Sequence, residues 1–292
     1  MGEATNPATN HELPPVVSTG WLAARLASAR FRVVDGSWYL PGSGRSGVSE
    51  YAQGHIPGAV FLDLDEVSDK RSPLPHMLPR PDEFAARMSA LGLNDGDSLI
   101  VYDGSGTNLS AARIWWMFRV FGHSNVAVLD GGLGKWRSEG RPLEQGMVHL
   151  PPGHFSAGLD PRAVRDLAAM RANLEHPAEQ VVDLRPAGRF RGEEPEPRPG
   201  IRSGHLPGSI SLPFTELVNA DGTILPLSAL RRRLEAAGID LSQPIVATCG
   251  SGTSACTLVL ALELLSHRDS AVYDGAWTEW GGRIDTPVET GP

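Results

Sequence analysis

The stretch G-H-I-P-G-A-V-F-L-D (54–63) returns as G-H-L-P-G-S-I-S-L-P (204–213), 150 residues later. Three further pairs follow in the same order. R-V-V-D (32–35) returns as Q-V-V-D (180–183), and V-L-D-G-G-L-G-K-W (128–136) as V-Y-D-G-A-W-T-E-W (272–280). L-I-V-Y-D-G-S-G-T (99–107) returns as P-I-V-A-T-C-G-S-G-T (244–253), with one extra residue. Offsets this similar, in one chain order, mean a duplicated domain. The sequence of 292 residues suits two domains of ordinary size. The expected division is a flexible tail at 1–15, a first domain at 16–143, a Pro- and Gly-bearing linker at 144–160 and a second domain at 161–292.

Within each half, short β-branched strands alternate with helical patterns. The first half reads as a helix in W-L-A-A-R-L-A-S-A (21–29), a strand ending at Asp35, a helix near 82–91, a strand at 98–102, a helix at 109–121 and a strand at 125–129. The second half reads as helix 162–174, strands 180–184 and 209–213, helix 227–237, strand 244–248, helix 253–266 and strand 270–273. This alternation predicts an α/β fold, each domain a mostly parallel sheet flanked by helices.

Composition narrows the function. Hydrophobic residues make up 41% and charged residues 21%, as in a globular protein, and the net charge is −8. A net acidic chain is a poor general binder of nucleic acid or anionic membranes. No apolar run reaches the roughly 18 residues of a membrane span, and no secretory pattern opens the sequence. Two cysteines cannot make a disulfide framework, so a reducing cytoplasm is expected and each cysteine is a nucleophile candidate.

Cys249 is the stronger candidate. It follows the strand P-I-V-A-T and precedes the helical pattern T-S-A-C-T-L-V-L-A-L-E-L-L. Open α/β sheets bind ligands at the carboxyl ends of their strands. A helix N-terminus offers unpaired N–H groups to an anion, which favours a thiolate. Gly250 and Gly252 let the loop backbone curl into an anion nest. Cys256, inside the helix, reads as a small core residue. In the first half, Asp103 stands where Cys249 stands in the second. A carboxylate cannot accept sulfur, so that half is expected to be catalytically silent.

These residues carry a resemblance. The chain is similar to tandem-domain rhodanese-type sulfurtransferases along nearly its whole length, through V-V-D-G-S-W-Y-L-P, G-H-I-P-G-A, H-M-L-P, W-W-M-F, D-G-G-L, G-R-F-R-G-E-E-P-E-P-R, G-H-L-P-G, C-G-S-G-T-S-A and Y-D-G-A-W-T-E-W. Within that family, C-G-S-G resembles the 3-mercaptopyruvate sulfurtransferases. Thr253 and Ser254 depart from the Val-Thr usual there. The resemblance implies an active site between the domains and sulfur transfer from 3-mercaptopyruvate to Cys249. That step gives a persulfide held by loop N–H groups of Gly250, Gly252, Thr253 and Ser254, and releases pyruvate. A thiol, cyanide or a protein thiol of thioredoxin-like kind then takes the sulfur. No metal or organic cofactor is required, and a monomer is expected.

A donor with a carboxylate and a ketone calls for a cationic clamp. The resemblance assigns that clamp to Arg189 and Arg198, whereas Arg185, Arg191 and Arg202 read as a solvated, salt-bridged loop. His55 and His205 occur in both halves and read as turn residues. His76 has no counterpart in the repeat, which favours a functional role. The resemblance joins Ser251 to His76 and Asp63 as a proton relay. Trp115, Trp116, Trp277 and Trp280 read as packing residues. Three other readings fare worse. A thiosulfate enzyme is expected to carry cations just after the cysteine. A phosphatase loop needs an arginine six residues on, where Ala255 stands. A pure binding module is expected to lose the cysteine in both halves.

Overall fold

Ten parallel strands form two sheets of five, one from each half of the chain, in a computed structural model that describes residues 13–292. The first sheet is built from β1 (Val16–Val17), β2 (Phe31–Asp35), β3 (Val60–Phe61), β4 (Ser98–Tyr102) and β5 (Val126–Leu129) in the order β1-β5-β4-β2-β3. The second contains β6 (Val164–Arg165), β7 (Gln180–Asp183), β8 (Ile210–Ser211), β9 (Ile245–Thr248) and β10 (Ser270–Tyr273) in the equivalent order β6-β10-β9-β7-β8. The duplication read in the sequence is therefore a duplication of topology. The central strands, β4 and β9, are buried along their whole length, which is why they read as continuous apolar runs.

The helices that follow these central strands, Leu109–Val120 and Ala255–Leu264, pack against each other and join the domains. Residues 255–262 are all buried, because one face meets β9 and β10 and another meets the first domain. A helix enclosed in this way is apolar all round. Residues of both domains share one continuous hydrophobic core that includes Cys249 and Cys256. Trp115, Trp116, Trp277 and Trp280 are buried, as expected of packing residues.

Several elements differ from the sequence reading. Residues 162–174 are not one helix. Pro161–Ala163 make a 3-10 turn, Val164 and Arg165 pair with β10, and Asp166 caps a helix over Leu167–Glu175. The helix read at 21–29 is confined to Thr19–Ala23. Of the tail, residues 1–12 lie outside the described residues. Leu13 and Pro15 are held by hydrogen bonds to Asn125 and Val128. The segment 144–160 contains no helix or strand, yet it is strapped to the first domain. Phe155 is buried against Phe84 and Phe118, and the Val148 N–H donates to the Tyr51 hydroxyl. No helix among the described residues is long and apolar enough to cross a membrane.

Candidate active site

Cys249 lies at the carboxyl end of the central strand β9, buried, at the floor of a cavity of about 300 Å³. The cavity is lined from the second domain by Arg189, Arg198, Phe214 and the 249–254 loop, and from the first by Trp38, Tyr39, Leu40 and Thr107. Larger clefts exist elsewhere among the described residues, but none of them reaches a cysteine. The loop is fixed by its carbonyls. The Trp277 N–H donates to Cys249 O at 2.9 Å, and Thr278 donates twice to Gly250 O. None of the backbone N–H groups from Gly250 to Ala255 has a hydrogen-bond acceptor among the described residues. Six open donors at the start of a helix are an anion site. Gly252 is required at its place. Its φ is +77°, and a Cβ there would lie 3.1 Å from Arg113 and 3.2 Å from the Asp274 carbonyl.

The first domain has the same loop with its anion built in. The Asp103 carboxylate accepts from the Ser105 N–H (2.8 Å), the Ser105 hydroxyl (2.6 Å), the Ser110 hydroxyl (3.2 Å) and the Ala111 N–H (2.9 Å). Leu133 N–H bonds Asp103 O at 2.9 Å, just as Trp277 bonds Cys249. A buried carboxylate thus occupies the position that the second loop leaves for a ligand.

The arginines differ sharply. Arg185 is not solvated, contrary to the sequence reading. It is buried between Asp183, Glu196 and the Gly204 carbonyl, over the Trp277 ring. Arg202, read as salt-bridged, has no ion-pair partner among the described residues. It donates to the carbonyls of Trp280, Gly281 and Thr286 and fixes the segment 280–286. Arg191 pairs with Glu193 on the surface, as read. Arg189 reaches the cavity while paired with Glu196. Arg198 is half-buried in the cavity and has no hydrogen-bond or ion-pair partner among the described residues. Burial first, and then repulsion from Arg189, lower its pKa from the ordinary arginine value, and the charge of a Cys249 thiolate offsets part of this. In charge terms Asp183 and Glu196 offset Arg185 and Arg189, and Arg198 leaves the cavity a net cation.

Behind Cys249, three buried side chains meet. The Ser251 hydroxyl and the Thr253 hydroxyl each lie 3.1 Å from His76 Nδ1, and His76 Nε2 lies 3.1 Å from an Asp65 carboxylate oxygen. The carboxylate expected there, Asp63, is elsewhere. It caps the helix Leu64–Val67, accepting from the Asp65 and Glu66 N–H groups. Asp65, one half-turn on, takes the position beside the histidine and also accepts from the Trp38 indole at 2.9 Å. The hydrogen bond from His76 holds the Asp65 pKa below the usual carboxylate range. Burial lowers the His76 pKa, so the ring is neutral near pH 7. His76 adopts φ +60°, uncommon outside glycine, and Arg113 fixes it there by donating to its carbonyl at 2.5 Å. Arg113 itself is fully buried and bridges the domains to Asp274 at 2.6 Å, while Asp274 also accepts from the Leu78 N–H. The sequence assigns no site role to Asp65, Trp38, Arg113, Asp274 or Glu196.

His55 and His205 prove equivalent. Each Nδ1–H donates to the carbonyl of a preceding aromatic residue, Tyr51 at 2.9 Å and Phe190 at 2.8 Å, and each ring stacks on that residue. Both are turn residues. Cys256 is fully buried, donates to Gly252 O at 3.3 Å, and has its pKa pushed up to about 12 by burial. It is a thiol of the core.

A cysteine ringed by open amides, at the carboxyl end of a parallel strand and roofed by a second copy of the same fold, defines a cysteine-based group-transfer site. The Rhodanese-like domain matches residues 18–139 and again 166–283. The chain belongs to the rhodanese-like family. It is 44% identical to 3-mercaptopyruvate sulfurtransferase of Escherichia coli (strain K12), over 94% of this chain and 97% of that one. It is 41% identical to thiosulfate sulfurtransferase of Bos taurus, over 94% of each. The crystal structure of SseA from Escherichia coli, described as a 3-mercaptopyruvate sulfotransferase, superposes with a TM-score of 0.83 at 41% identity, covering 91% of this chain and 99% of that one.

Proposed function

We propose that the protein is a sulfurtransferase that moves sulfur from 3-mercaptopyruvate through a Cys249 persulfide to a thiol, cyanide or thioredoxin-like protein acceptor. The observation that carries this reading is the pairing of an open amide ring at Cys249 with an uncommitted cation, Arg198, in one cavity. The amides receive the persulfide anion, and Arg198 with Arg189 receives the donor's carboxylate and ketone.

Relatives named for either donor lie at similar identity, so the donor is argued from the loop. Gly250 lies directly beneath Arg189, and even a Cβ there would come within 3.1 Å of the guanidinium. The two residues directly after Cys249, Gly250 and Ser251, carry no cation of the kind a dianionic thiosulfate donor favours. The relay supports the same choice. Thiosulfate releases sulfite as a stable anion. Mercaptopyruvate arrives as a thiol and leaves as an enolate, so one proton must pass from sulfur to carbon. A neutral His76, held by Asp65 and bonded to a loop hydroxyl, suits that transfer. Both cysteines are free thiols, which fits a reducing compartment, read here as the cytoplasm, and the protein is read as a monomer. Steady-state comparison of the two donors tests the reading. A kcat/KM for thiosulfate equal to or above that for mercaptopyruvate overturns the donor.

A further inference from the structure

His76 has one lone pair and two claimants for it. Nε2 faces the Asp65 carboxylate, and an ionised carboxylate only accepts. The neutral ring therefore carries its proton on Nε2 and accepts at Nδ1. Ser251 and Thr253 reach that atom at the same 3.1 Å, and their oxygens lie 3.5 Å apart. Gly252, in its left-handed conformation, folds the loop so that both residues line the cavity that holds Cys249. All three side chains are buried. When one hydroxyl donates to Nδ1, the other is left to face the cavity or its neighbour.

We propose that Thr253 is a second hydroxyl of the relay, interchangeable with Ser251 at His76. This rests on the mercaptopyruvate reading above. In the transfer, the Cys249 thiolate attacks the donor sulfur, the S–S bond forms, the C–S bond breaks and its electron pair goes to the enolate carbon. The donor's thiol proton passes to a loop hydroxyl as that hydroxyl's own proton passes to Nδ1. The reverse movement delivers a proton to the enolate carbon. No net proton is gained and no oxidant is needed. Thr253, like Ser251, meets the donor from the cavity wall and hands its proton to His76, and either hydroxyl alone completes the path.

The test compares S251A, T253V, the double variant S251A/T253V, and S251A/T253S. Valine keeps the shape of threonine without its hydroxyl, and T253A replaces it if melting by circular dichroism shows T253V unfolded. The readouts are kcat and KM with mercaptopyruvate across pH, and single-turnover persulfide formation from thiosulfate. Each single variant is expected to lose less than about tenfold in kcat, and the double about 10²–10⁴-fold, the usual scale of general acid–base assistance. Such synergy marks two groups serving one role. S251A/T253S should match S251A. The acid limb set by His76 should persist in both single variants and vanish in the double. If S251A alone is as impaired as the double while T253V behaves as wild type, Thr253 only lines the loop. If the double loses both donors equally, or neither, the relay reading itself fails.

Discussion

Replacing Arg198 by alanine removes the one cavity cation that, among the described residues, no protein carboxylate already occupies. Arg189 shares Glu196 with Arg185, so part of its charge is committed within the fold. Arg198 has no such partner among the described residues, and its full charge is available to a donor carboxylate. A hydrogen bond to a charged group is worth about 1.5–3 kcal/mol, or roughly ten- to a hundredfold in kcat/KM. Arg198→Ala should fall in the upper part of that range and Arg189→Ala near its lower end. Lysine at 198 should restore only part of the loss, because it lacks the planar fork. Stability should move the other way. Burial and the Arg189 charge both disfavour the Arg198 cation in the folded state, so its removal should leave Tm level or higher. Steady-state kinetics with mercaptopyruvate and a thermal melt of the same preparation read both quantities. Wild-type kcat/KM in Arg198→Ala refutes the assignment, and a large fall in Tm would mean that Arg198 is a structural residue.

Asp65→Asn should cut mercaptopyruvate turnover by about 10² or more while sparing thiosulfate, since the His76 ring loses the carboxylate that orients it. Asp63→Ala should instead cost about 0.5–2 kcal/mol of stability as a lost helix cap, with turnover per folded molecule retained; denaturant titration and kinetics separate the two. Mercaptopyruvate turnover should fall on an acid limb lying below the ordinary histidine value of about 6.5, because the relay needs neutral His76 and burial lowers its pKa. The same shift makes protonation oppose folding, so that contribution to stability is present above about pH 6.5 and lost as the pH drops; a pH–rate profile without an acid limb specific to this donor counts against the relay. Asp103→Ala should destabilise the first domain by about 1–3 kcal/mol for each buried donor left unpaired and leave sulfur transfer per folded molecule in place. Loss of transfer in a folded Asp103→Ala protein would show that the first loop takes part in the chemistry.

The parts of the fold that repeat were legible in the sequence because a duplicated domain prints its turns twice. The strands 98–102 and 270–273 stand where they are read, since parallel strands covered on both faces are predominantly apolar. The edge strand β6 was read as helix. Its two residues pair with β10 by tertiary contact, and local preference does not report such pairing. Cys249 and its loop were visible from strand, glycine and helix signals alone. Asp65 was not, though a signal existed. Asp63 followed three residues later by Glu66 matches the start of a helix, which commits Asp63 to capping and leaves the second aspartate of F-L-D-L-D for His76. Arg185 was misread as solvated because charge density in a loop says nothing of burial. Its place depends on Asp183 and on Trp277, distant in the sequence. Arg113 and Asp274, which lock the domains around His76, come from different halves, and no local pattern pairs them.

Passage of sulfur through Cys249 is open to direct observation. Wild-type protein treated with 3-mercaptopyruvate without an acceptor, then alkylated, digested and read by mass spectrometry, tests it directly. One added sulfur is expected on the peptide containing Cys249, released on adding a thiol and absent in Cys249→Ser. Sulfur carried by Cys256 alone in wild type, or retained turnover in Cys249→Ser, would contradict passage through Cys249.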